Sequence, residues 1–190
     1  MRASYHIAID DAAHLRVLGE EDVTSDYVRC LNDPVVHRFL VGPRSQAQTM
    51  DSVRSFVRDN LYDAASLLFG FFVHATLRGT VRLHDITPEK AFLGLAIFDR
   101  SLWGKGWGTR CVEAVTRFAR DELHISHVAA IIEPDNIASL RAFGHAGYAC
   151  AADDVIRDGA VKQLWLFPAP HVRGDLRNIE KTLLNGEPMR

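Results

Sequence analysis

The sequence predicts a mixed α/β (α+β) fold, in which helices cover both faces of a mainly antiparallel central sheet of about seven strands. Two observations predict it. The 190 residues are 47% apolar and 24% charged, which suits one globular domain with its own core. Strand-like and helix-like apolar patterns then interleave along the chain, in the order strand, two helices, three strands, helix, strand, helix and two strands.

Each element has a local reason. The strands are runs rich in β-branched and aromatic residues that end at turn signals such as Arg78-Gly79 and Thr87-Pro88. The first helix should follow the acidic residues 20–22 and end at Asn32-Asp33-Pro34, because proline disfavours a helical residue before it. The second helix repeats apolar residues at helical spacing over residues 53–61. We therefore predict helices over 22–31, 47–62, 108–122 and 136–146, and strands over 14–18, 67–77, 79–86, 91–99, 127–133, 148–156 and 161–167.

One domain is expected over residues 13–167. A leader, residues 1–12, precedes it and includes a short strand at Tyr5–Ile9. A polar tail, residues 168–190, follows it, with one helix around Gly174–Leu184 as the alternative to irregular structure.

Charge and composition argue against two classes of partner. The chain has 22 basic and 24 acidic residues, whereas proteins that bind the phosphate backbone of nucleic acid usually carry a basic excess. Its longest strongly apolar stretch, Leu67–Val73, is far shorter than the roughly 20 residues that span a bilayer. Asp10 and Asp11 fall where a signal peptide needs apolar residues. We therefore predict a cytoplasmic protein that acts on neither nucleic acid nor membrane.

The cysteines and histidines predict no metal site. Cys30, Cys111 and Cys150 are an odd number at wide spacing, which gives neither a disulfide framework nor a zinc pattern. The nine histidines lack His-x-x-x-His spacing. Cys111 falls early in a predicted helix, where a thiolate is stabilised, but the sequence pairs no histidine with it.

The most informative segment is a glycine-rich turn between a strand and a helix, Trp103-Gly104-Lys105-Gly106-Trp107-Gly108-Thr109. Glycine lets the backbone turn tightly and approach a ligand closely. The first N–H groups of the helix lack internal partners and lie at the positive end of its dipole. Such a turn suits a phosphate or diphosphate, and Lys105 would add a positive charge.

Two familiar phosphate-binding turns do not fit this segment. The P-loop needs Gly-x-x-x-x-Gly-Lys-Ser/Thr, which is absent from the sequence. The dinucleotide fingerprint needs Gly-x-Gly-x-x-Gly in an early strand–helix–strand unit, whereas this turn follows antiparallel strands late in the chain. On spacing alone, a tight turn without a ligand remains the alternative.

The next segment, residues 128–148, predicts a cleft beside that turn. A buried strand ends at Pro134, and a helix follows with Asn136 as its cap and Gly147 after its last turn. Because Pro134 removes a backbone donor just after Glu133, strand pairing should end there and leave this strand splayed from the strand at 91–98. Splayed strands expose N–H and C=O groups with which an extended, amide-bearing ligand can pair.

Together these segments resemble the GNAT superfamily of acyl-CoA-dependent N-acetyltransferases, over about residues 13–167. The family's phosphate motif, Gln/Arg-x-x-Gly-x-Gly/Ala, fits Trp103–Gly108 at both glycine positions, with Trp103 in the Gln/Arg slot. Its helix motif, Asn-x-x-Ser/Ala-x-x-x-Tyr/Phe-x-x-x-Gly-Phe/Tyr, fits Asn136, Ser139, Phe143, Gly147 and Tyr148. The Trp-Gly-Lys-Gly form, the opening HLRVLGEEDV and Asn32-Asp33-Pro34 are most similar to the branch of ribosomal-protein N-terminal, spermidine and nucleotide-amino-sugar acetyltransferases.

The resemblance implies that acetyl-CoA lies in the wedge between strands 91–98 and 128–133. Its diphosphate would meet the N–H groups of 104–109, and its pantetheine amides would pair with the backbone around Leu95–Phe98. The N–H of Ile97 or Ala96 would stabilise the developing oxyanion. The implied cofactor-binding residues are Ala96, Ile97, Phe98, Trp103, Gly104, Lys105, Gly106, Trp107, Gly108, Thr109, Asn136, Ser139 and Phe143.

The resemblance leaves the proton-transfer groups open. Phe143 stands where many members carry a tyrosine that protonates the leaving thiolate, and phenylalanine cannot donate a proton. Ser139, one helical turn earlier, is the candidate substitute. An alkylammonium acceptor must first lose a proton, and the candidate bases are Glu133, and His84 beside Asp85. Ordinary structural roles are the alternative for each of them.

The predicted activity is direct transfer of acetyl from acetyl-CoA to a primary amine. The amine belongs to a small molecule, such as a polyamine or amino sugar, or to a protein N-terminus. A non-catalytic acyl-CoA-binding or sensing module is the alternative, because Phe143 leaves the usual proton donor missing. A homodimer is compatible with the family.

Overall fold

The computed structural model describes residues 5–40, 46–157 and 159–167. The strands are β1 (His6–Ala8), β2 (Ala13–Val17), β3 (Leu67–Val73), β4 (Thr76–His84), β5 (Lys90–Ile97), β6 (His127–Ile132), β7 (Ala149–Arg157) and β8 (Ala160–Phe167). The helices are α1 (Ser25–Leu31), α2 (Pro34–His37), α3 (Met50–Tyr62), α4 (Trp107–Asp121) and α5 (Ile137–His145). The tail helix considered around 174–184 lies outside the described residues.

Within the described residues the strands form one sheet of eight, in the order β1-β2-β3-β4-β5-β6-β8-β7. All neighbours are antiparallel except β5 and β6, which are parallel. The predicted mixed, mainly antiparallel fold is therefore confirmed. The strand beyond the expected seven is β1, at the place where a short leader strand was expected.

Helices cover both faces of the sheet. On one face, α4 buries Cys111, Val112, Val115 and Phe118 against the odd-numbered side chains of β3 and β5, and α5 joins the same cluster through Phe143. On the other face, a second cluster unites α1, α2 and α3 with the sheet, through Tyr27, Val36, Val53, Val57, Leu68, Phe72 and Phe98. Burial of each large apolar side chain contributes roughly 1.5–3 kcal/mol, so these two clusters hold the layers together.

The predicted turn at Arg78-Gly79 is wrong. The chain turns at His74-Ala75, and Gly79 lies inside β4 opposite Ile97. A Cβ at Gly79 would lie 2.7 Å from the carbonyl oxygen of Ala96, so this glycine permits close strand approach rather than a turn. His74 instead takes a left-handed φ of 53°, in an exposed position that a strand over 67–77 would not give it.

The predicted helix over 22–31 begins later than expected. A 3-10 turn covers Glu20–Asp22, and the Thr24 hydroxyl then accepts the N–H of Tyr27 at 3.2 Å and starts α1. Asn32-Asp33-Pro34 ends α1 as predicted, but Asp33 also caps a short new helix in which Pro34 takes the first position.

The sheet opens between β5 and β6, and this confirms the predicted splayed pair. Lys90, Ala91 and Phe92 pair with His127, Val128 and Ala129, and the two strands make no further pairs with each other. β5 continues along β4 as far as Ile97, while β6 continues along β8 as far as Ile132. A wedge therefore opens between their carboxyl ends.

Candidate active site

Hydrogen bonds at the two ends of β5 fix which of its backbone groups face the wedge. The N–H of His127 donates to the carbonyl of Glu89 at 3.0 Å, and the N–H of Phe98 donates to the carbonyl of Arg78 at 3.1 Å. Successive residues of a strand direct their N–H and C=O groups to opposite edges. The backbone N–H and C=O groups of odd-numbered residues in β5 therefore point toward β6, and those of even-numbered residues point toward β4.

Beyond Phe92, Leu95 and Ile97 consequently present N–H and C=O groups to the open wedge. This result differs from the prediction for Ala96 and Phe98, whose backbone groups are used in the ladder with β4. Phe98 contributes a buried side chain instead, stacked on Tyr27 with ring centroids 4.9 Å apart. Sequence reasoning could not choose between the two edges, because that choice depends on how β4 and β6 pair with β5.

The glycine-rich turn lies at the mouth of the wedge and leads into α4. Gly104 and Gly106 take left-handed φ values of 71° and 78°, which side chains disfavour, and a Cβ at either would meet nothing within 4 Å. Gly106 is the residue that caps α4, and it supplies no side-chain acceptor to the first N–H groups of this helix. The first turn also carries no acidic residue. The turn is thus open to solvent at both of these glycines, and the first N–H groups of α4 lack a side-chain acceptor and lie at the positive end of the helix dipole, as an anion site requires.

The third glycine of the turn, Gly108, permits close packing of α4. A Cβ there would lie 3.3 Å from Leu95 Cδ2 and 3.4 Å from the Cβ of Ala142, so the first turn of α4 touches both β5 and α5. Trp107 packs its ring toward Phe71, with centroids 5.5 Å apart, and offers the site only its backbone. Thr109 is half-buried in the same first turn of the helix.

The loop between β5 and α4 is held by side chains. Asp99 accepts the N–H of Ser101 at 2.9 Å and pairs with Arg78 at 2.9 Å. Burial alone would raise the pKa of Asp99, but hydrogen bonds from Ser101 and the charges of Arg78 and Lys105 lower it overall. Lys105 is exposed and near Asp99. The Trp103 indole N–H donates to the carbonyl of Ile97 at 2.8 Å.

Ser139 lies where the sequence placed it. Asn136 caps α5, with its side-chain oxygen accepting the backbone N–H of Ser139 at 3.1 Å. Because the cap uses the backbone of Ser139, it does not occupy the hydroxyl, which has no hydrogen-bond partner among the described residues. The side chain is half-buried, one turn before Ala142, the residue that touches α4 beside the wedge.

Phe143 and Tyr148 supply no proton donor to the wedge. Phe143 is 2% exposed and packs edge-on against Tyr148, with centroids 5.0 Å apart. The Tyr148 hydroxyl is buried in a 2.6 Å hydrogen bond with the hydroxyl of Thr116, and burial raises the pKa of Tyr148. Cys111 is equally inert, because burial raises the pKa of its thiol to about 12.

The two candidate bases lie far apart. Glu133 is half-buried directly after β6, and its carbonyl accepts the N–H of Asn136 at 3.0 Å. His84 is opposite Phe92, at the closed end of the wedge. Since Ile97 is five residues further along β5, about 16 Å at 3.3 Å per residue, the structure does not bring His84 to the open end. Burial lowers the pKa of His84, and its Nδ1 lies 3.3 Å from Asp85.

A separate cleft of about 620 Å³ lies between α1 and the β3–β4 turn. All four arginines of this lining form ion pairs with carboxylates of the same lining: Arg16 with Asp22, Arg29 with Asp26, Arg78 with Asp99 and Arg100 with Asp33. These charges are already neutralised, so this cleft has less to offer a diphosphate than the start of α4.

Among residues 5–40, 46–157 and 159–167, no three His, Cys, Asp or Glu side chains are grouped as a metal site would need. Over the same part of the chain, none of the helices combines the length and apolar character needed to cross a membrane.

The family model for the acetyltransferase (GNAT) domain matches residues 13–149, well over half of the chain. This chain belongs to the GNAT acetyltransferase family. The assignment confirms the predicted family and enzyme class, an acetyl-CoA-dependent N-acetyltransferase with acetyl-CoA as co-substrate. No curated protein matches the chain significantly.

Solved GNAT acetyltransferases have a similar fold at low identity. The ribosomal-protein α-N-acetyltransferase RimL, bound to coenzyme A, has a TM-score of 0.72 and 16% identity, covering 86% of this chain and 96% of that one. The microcin C7 self-immunity acetyltransferase MccE, bound to acetyl-CoA and AMP, has a TM-score of 0.71 and 15% identity, covering 83% and 93%. AAC(6')-Ib, bound to paromomycin and acetyl-CoA, has a TM-score of 0.71 and 16% identity, covering 87% and 99%.

Proposed function

We propose that this acetyltransferase holds acetyl-CoA in the wedge between β5 and β6 and transfers its acetyl group directly to a primary amine. The observation that carries the proposal is the meeting of two features: a strand edge that pairs with no other strand beyond Phe92, and a helix start without a side-chain cap at its open end. Anionic and amide-bearing parts of one ligand would be recognised side by side. The acceptor is a small-molecule amine or a protein N-terminus.

The start of α4 would bind the diphosphate. The N–H groups of residues 104–109 supply donors at the positive end of a 15-residue helix, and Gly104 and Gly106 keep side chains out of the way. Lys105 adds a positive charge nearby, partly offset by Asp99. The exposed backbone of the turn lets phosphate oxygens approach without displacing protein atoms.

The edge of β5 would bind the pantetheine and the thioester. Leu95 offers its N–H and C=O groups to the amides, and Ile97 offers its N–H, since its carbonyl already accepts the Trp103 indole. We assign the stabilisation of the oxyanion to the N–H of Ile97 or Leu95, rather than to Ala96, because only odd-numbered residues face the wedge. A single donor of this type is worth roughly 3–4 kcal/mol in other enzymes.

Two side chains near the end of β6 would move the protons. Ser139 would give a proton to the leaving thiolate, since Phe143 cannot and Tyr148 is bound to Thr116. Glu133 would accept the proton of the amine, directly or through water, because His84 lies at the wrong end of the wedge. Much of the acceleration would come from holding amine and thioester in line.

The diphosphate cradle is tested with a charge at Gly106. Gly106→Asp places a carboxylate where a phosphate would lie, and Gly106→Asn places a neutral side chain of the same shape on the same left-handed backbone. Since two like charges about 4 Å apart repel by about 1 kcal/mol or more, we expect Asp to weaken coenzyme A binding at least fivefold more than Asn does. Isothermal titration calorimetry measures both dissociation constants.

Gly159 is the matched control for this experiment. It also has a left-handed φ, 74°, and open space around its Cβ position, but it lies in the β7–β8 turn. Gly159→Asp should leave the affinity for coenzyme A unchanged. Equal affinities for the Asp and Asn variants at position 106 would contradict the cradle.

A non-catalytic acyl-CoA-binding module is the second candidate, and the burial of Phe143 at the tyrosine position favours it. A thiol-release assay with acetyl-CoA and a panel of primary amines separates the two candidates. Release of free coenzyme A with an amine supports the enzyme. Coenzyme A that raises the melting temperature while no amine is acetylated supports the module.

A further inference from the structure

The Trp103 side chain makes a contact that diphosphate binding alone does not explain. Its indole N–H donates to the carbonyl of Ile97 at 2.8 Å, and that carbonyl is one of the groups that face the wedge. The side chain is 42% exposed, so burial in the core does not account for its position. Two contacts therefore hold the ring at the wedge wall: this hydrogen bond, and the Arg100 guanidinium 5.8 Å from the ring centroid.

The bond is a second link between two parts of the site, in addition to the packing of Gly108 in α4 against Leu95 in β5. The ladder with β4 fixes Ile97, and the helical bonds of α4 fix residues 107–109. Between them runs a loop with a 3-10 turn at Arg100–Leu102 and a left-handed glycine at 104. Trp103 closes this loop twice: its backbone N–H donates to Arg100 at 3.2 Å, and its indole reaches back to Ile97.

We propose, building on the acetyl-CoA site proposed above, that Trp103 is a positioning residue that sets the separation between the wedge edge and the diphosphate cradle. A ligand that binds both places gains from a separation fixed in advance, because it does not have to order the loop itself. A ligand that binds only the cradle gains nothing from it. Trp103 thereby selects a carrier with the length of coenzyme A between its thiol end and its diphosphate.

The test compares a ligand that spans both places with a fragment that does not. Trp103→Phe removes the indole N–H and keeps an aromatic ring. Calorimetry measures the dissociation constants of coenzyme A and of adenosine 3′-phosphate 5′-diphosphate, which is coenzyme A without pantetheine. Loss of one hydrogen bond should weaken coenzyme A about three- to tenfold, while the fragment changes by less than about twofold.

Two variants complete the design. Trp165→Phe is the control, since its indole N–H donates at 3.0 Å to Gln163 in β8, away from the loop. It should leave the ratio of the two affinities at the wild-type value. Trp103→His keeps a ring N–H and should give a ratio between those of the wild type and Trp103→Phe, so it also serves if the phenylalanine variant folds poorly.

Equal weakening of both ligands would overturn the inference, because Trp103 would then shape the cradle or the fold. Unchanged or tighter binding of coenzyme A would overturn it as well. Failure of the wild-type protein to bind coenzyme A is a different result, which removes the proposed function itself.

Discussion

The hydroxyl of Ser139, near the end of β6, has no hydrogen-bond partner among the described residues and could therefore donate to a thiolate. Its backbone N–H serves the cap of α5, so Ser139→Ala keeps the helix and removes only the hydroxyl. We expect kcat for acetyl transfer to fall roughly 100-fold, the lower end of what a positioned proton donor contributes. The affinity for coenzyme A should stay within about twofold, because the hydroxyl acts on the leaving group. Steady-state kinetics with an amine substrate and calorimetry measure the two effects.

Ser126→Ala is the control, because Ser126 is exposed and lies before β6, away from the wedge. It should match the wild type in both measurements. A Ser139→Ala variant with wild-type kcat would mean that the leaving thiolate receives its proton from another group or from water.

Local motifs predicted the backbone setting of these residues, whereas pairing between distant strands decides which groups face the wedge. The Asn136 cap, Ser139 at the third helical position and the left-handed glycines all depend on neighbours within a few residues. Ala96 and His84 depend on strand register: which edge Ala96 faces, and which end of the wedge His84 lies at, follow from pairing with distant strands. The Trp103–Ile97 bond is short-range, but no sequence motif indicated it.

At the scale of elements, one buried hydrogen bond joins α4 to the start of β7. The hydroxyls of Thr116 and Tyr148 lie 2.6 Å apart in the core. Thr116→Val or Tyr148→Phe leaves a buried hydroxyl without its partner, and each should lower the free energy of unfolding by about 1–3 kcal/mol. The double variant removes both polar groups and should lose clearly less than the two single losses added together. Urea denaturation of the four proteins measures this.

Additive losses in that cycle would mean that the two hydroxyls do not stabilise each other. Thr116→Ser is a useful control, because it keeps the hydroxyl and loses only a methyl group. It should retain the coupling with Tyr148, whereas the valine variant should not.

Most elements were predictable because their signals are local. The spacing of apolar residues in α4 and α5 gave their limits within about one residue, and alternation located the sheet strands. The β3–β4 turn was not, because Gly79 looks like a turn residue but serves close packing against Ala96. His74 directly follows Val73, a typical strand residue, and nothing in the local sequence predicted its left-handed φ.

At the scale of the whole molecule, different helices cover the two faces of the sheet on either side of the splayed strands. α4 and α5 lie on one face, with the uncapped helix start where the carrier would enter. α1, α2 and α3 lie on the other face. If, as we propose, the attacking amine approaches from that face, changes in these three helices should affect the acceptor alone.

One ion pair joins the end of α2 to the segment after β6, where the wedge opens. Arg38, just after α2, lies 2.9 Å from Asp135, just after β6, and 97 residues separate them in sequence. Exposed pairs contribute only about 0–1 kcal/mol, so Arg38→Gln should change the unfolding free energy by less than about 1 kcal/mol. It should nevertheless raise the acceptor KM by up to about fivefold, because α2 and the end of β6 are no longer held together. The KM for acetyl-CoA should not change.

Two controls, ionic strength and a second exposed ion pair, test whether the effect belongs to the Arg38–Asp135 pair. Raising the ionic strength screens the pair, so the acceptor KM of the wild type should approach that of Arg38→Gln, while the variant responds little. Arg58 and Glu20 form another partly exposed pair, 2.6 Å apart, that joins α3 to the 3-10 turn and lies outside the lining of the 620 Å³ cleft. Arg58→Gln should therefore leave both KM values unchanged. If it raised the acceptor KM as much as Arg38→Gln does, the effect would come from surface charge in general, and the acceptor would not pass between α2 and the end of β6.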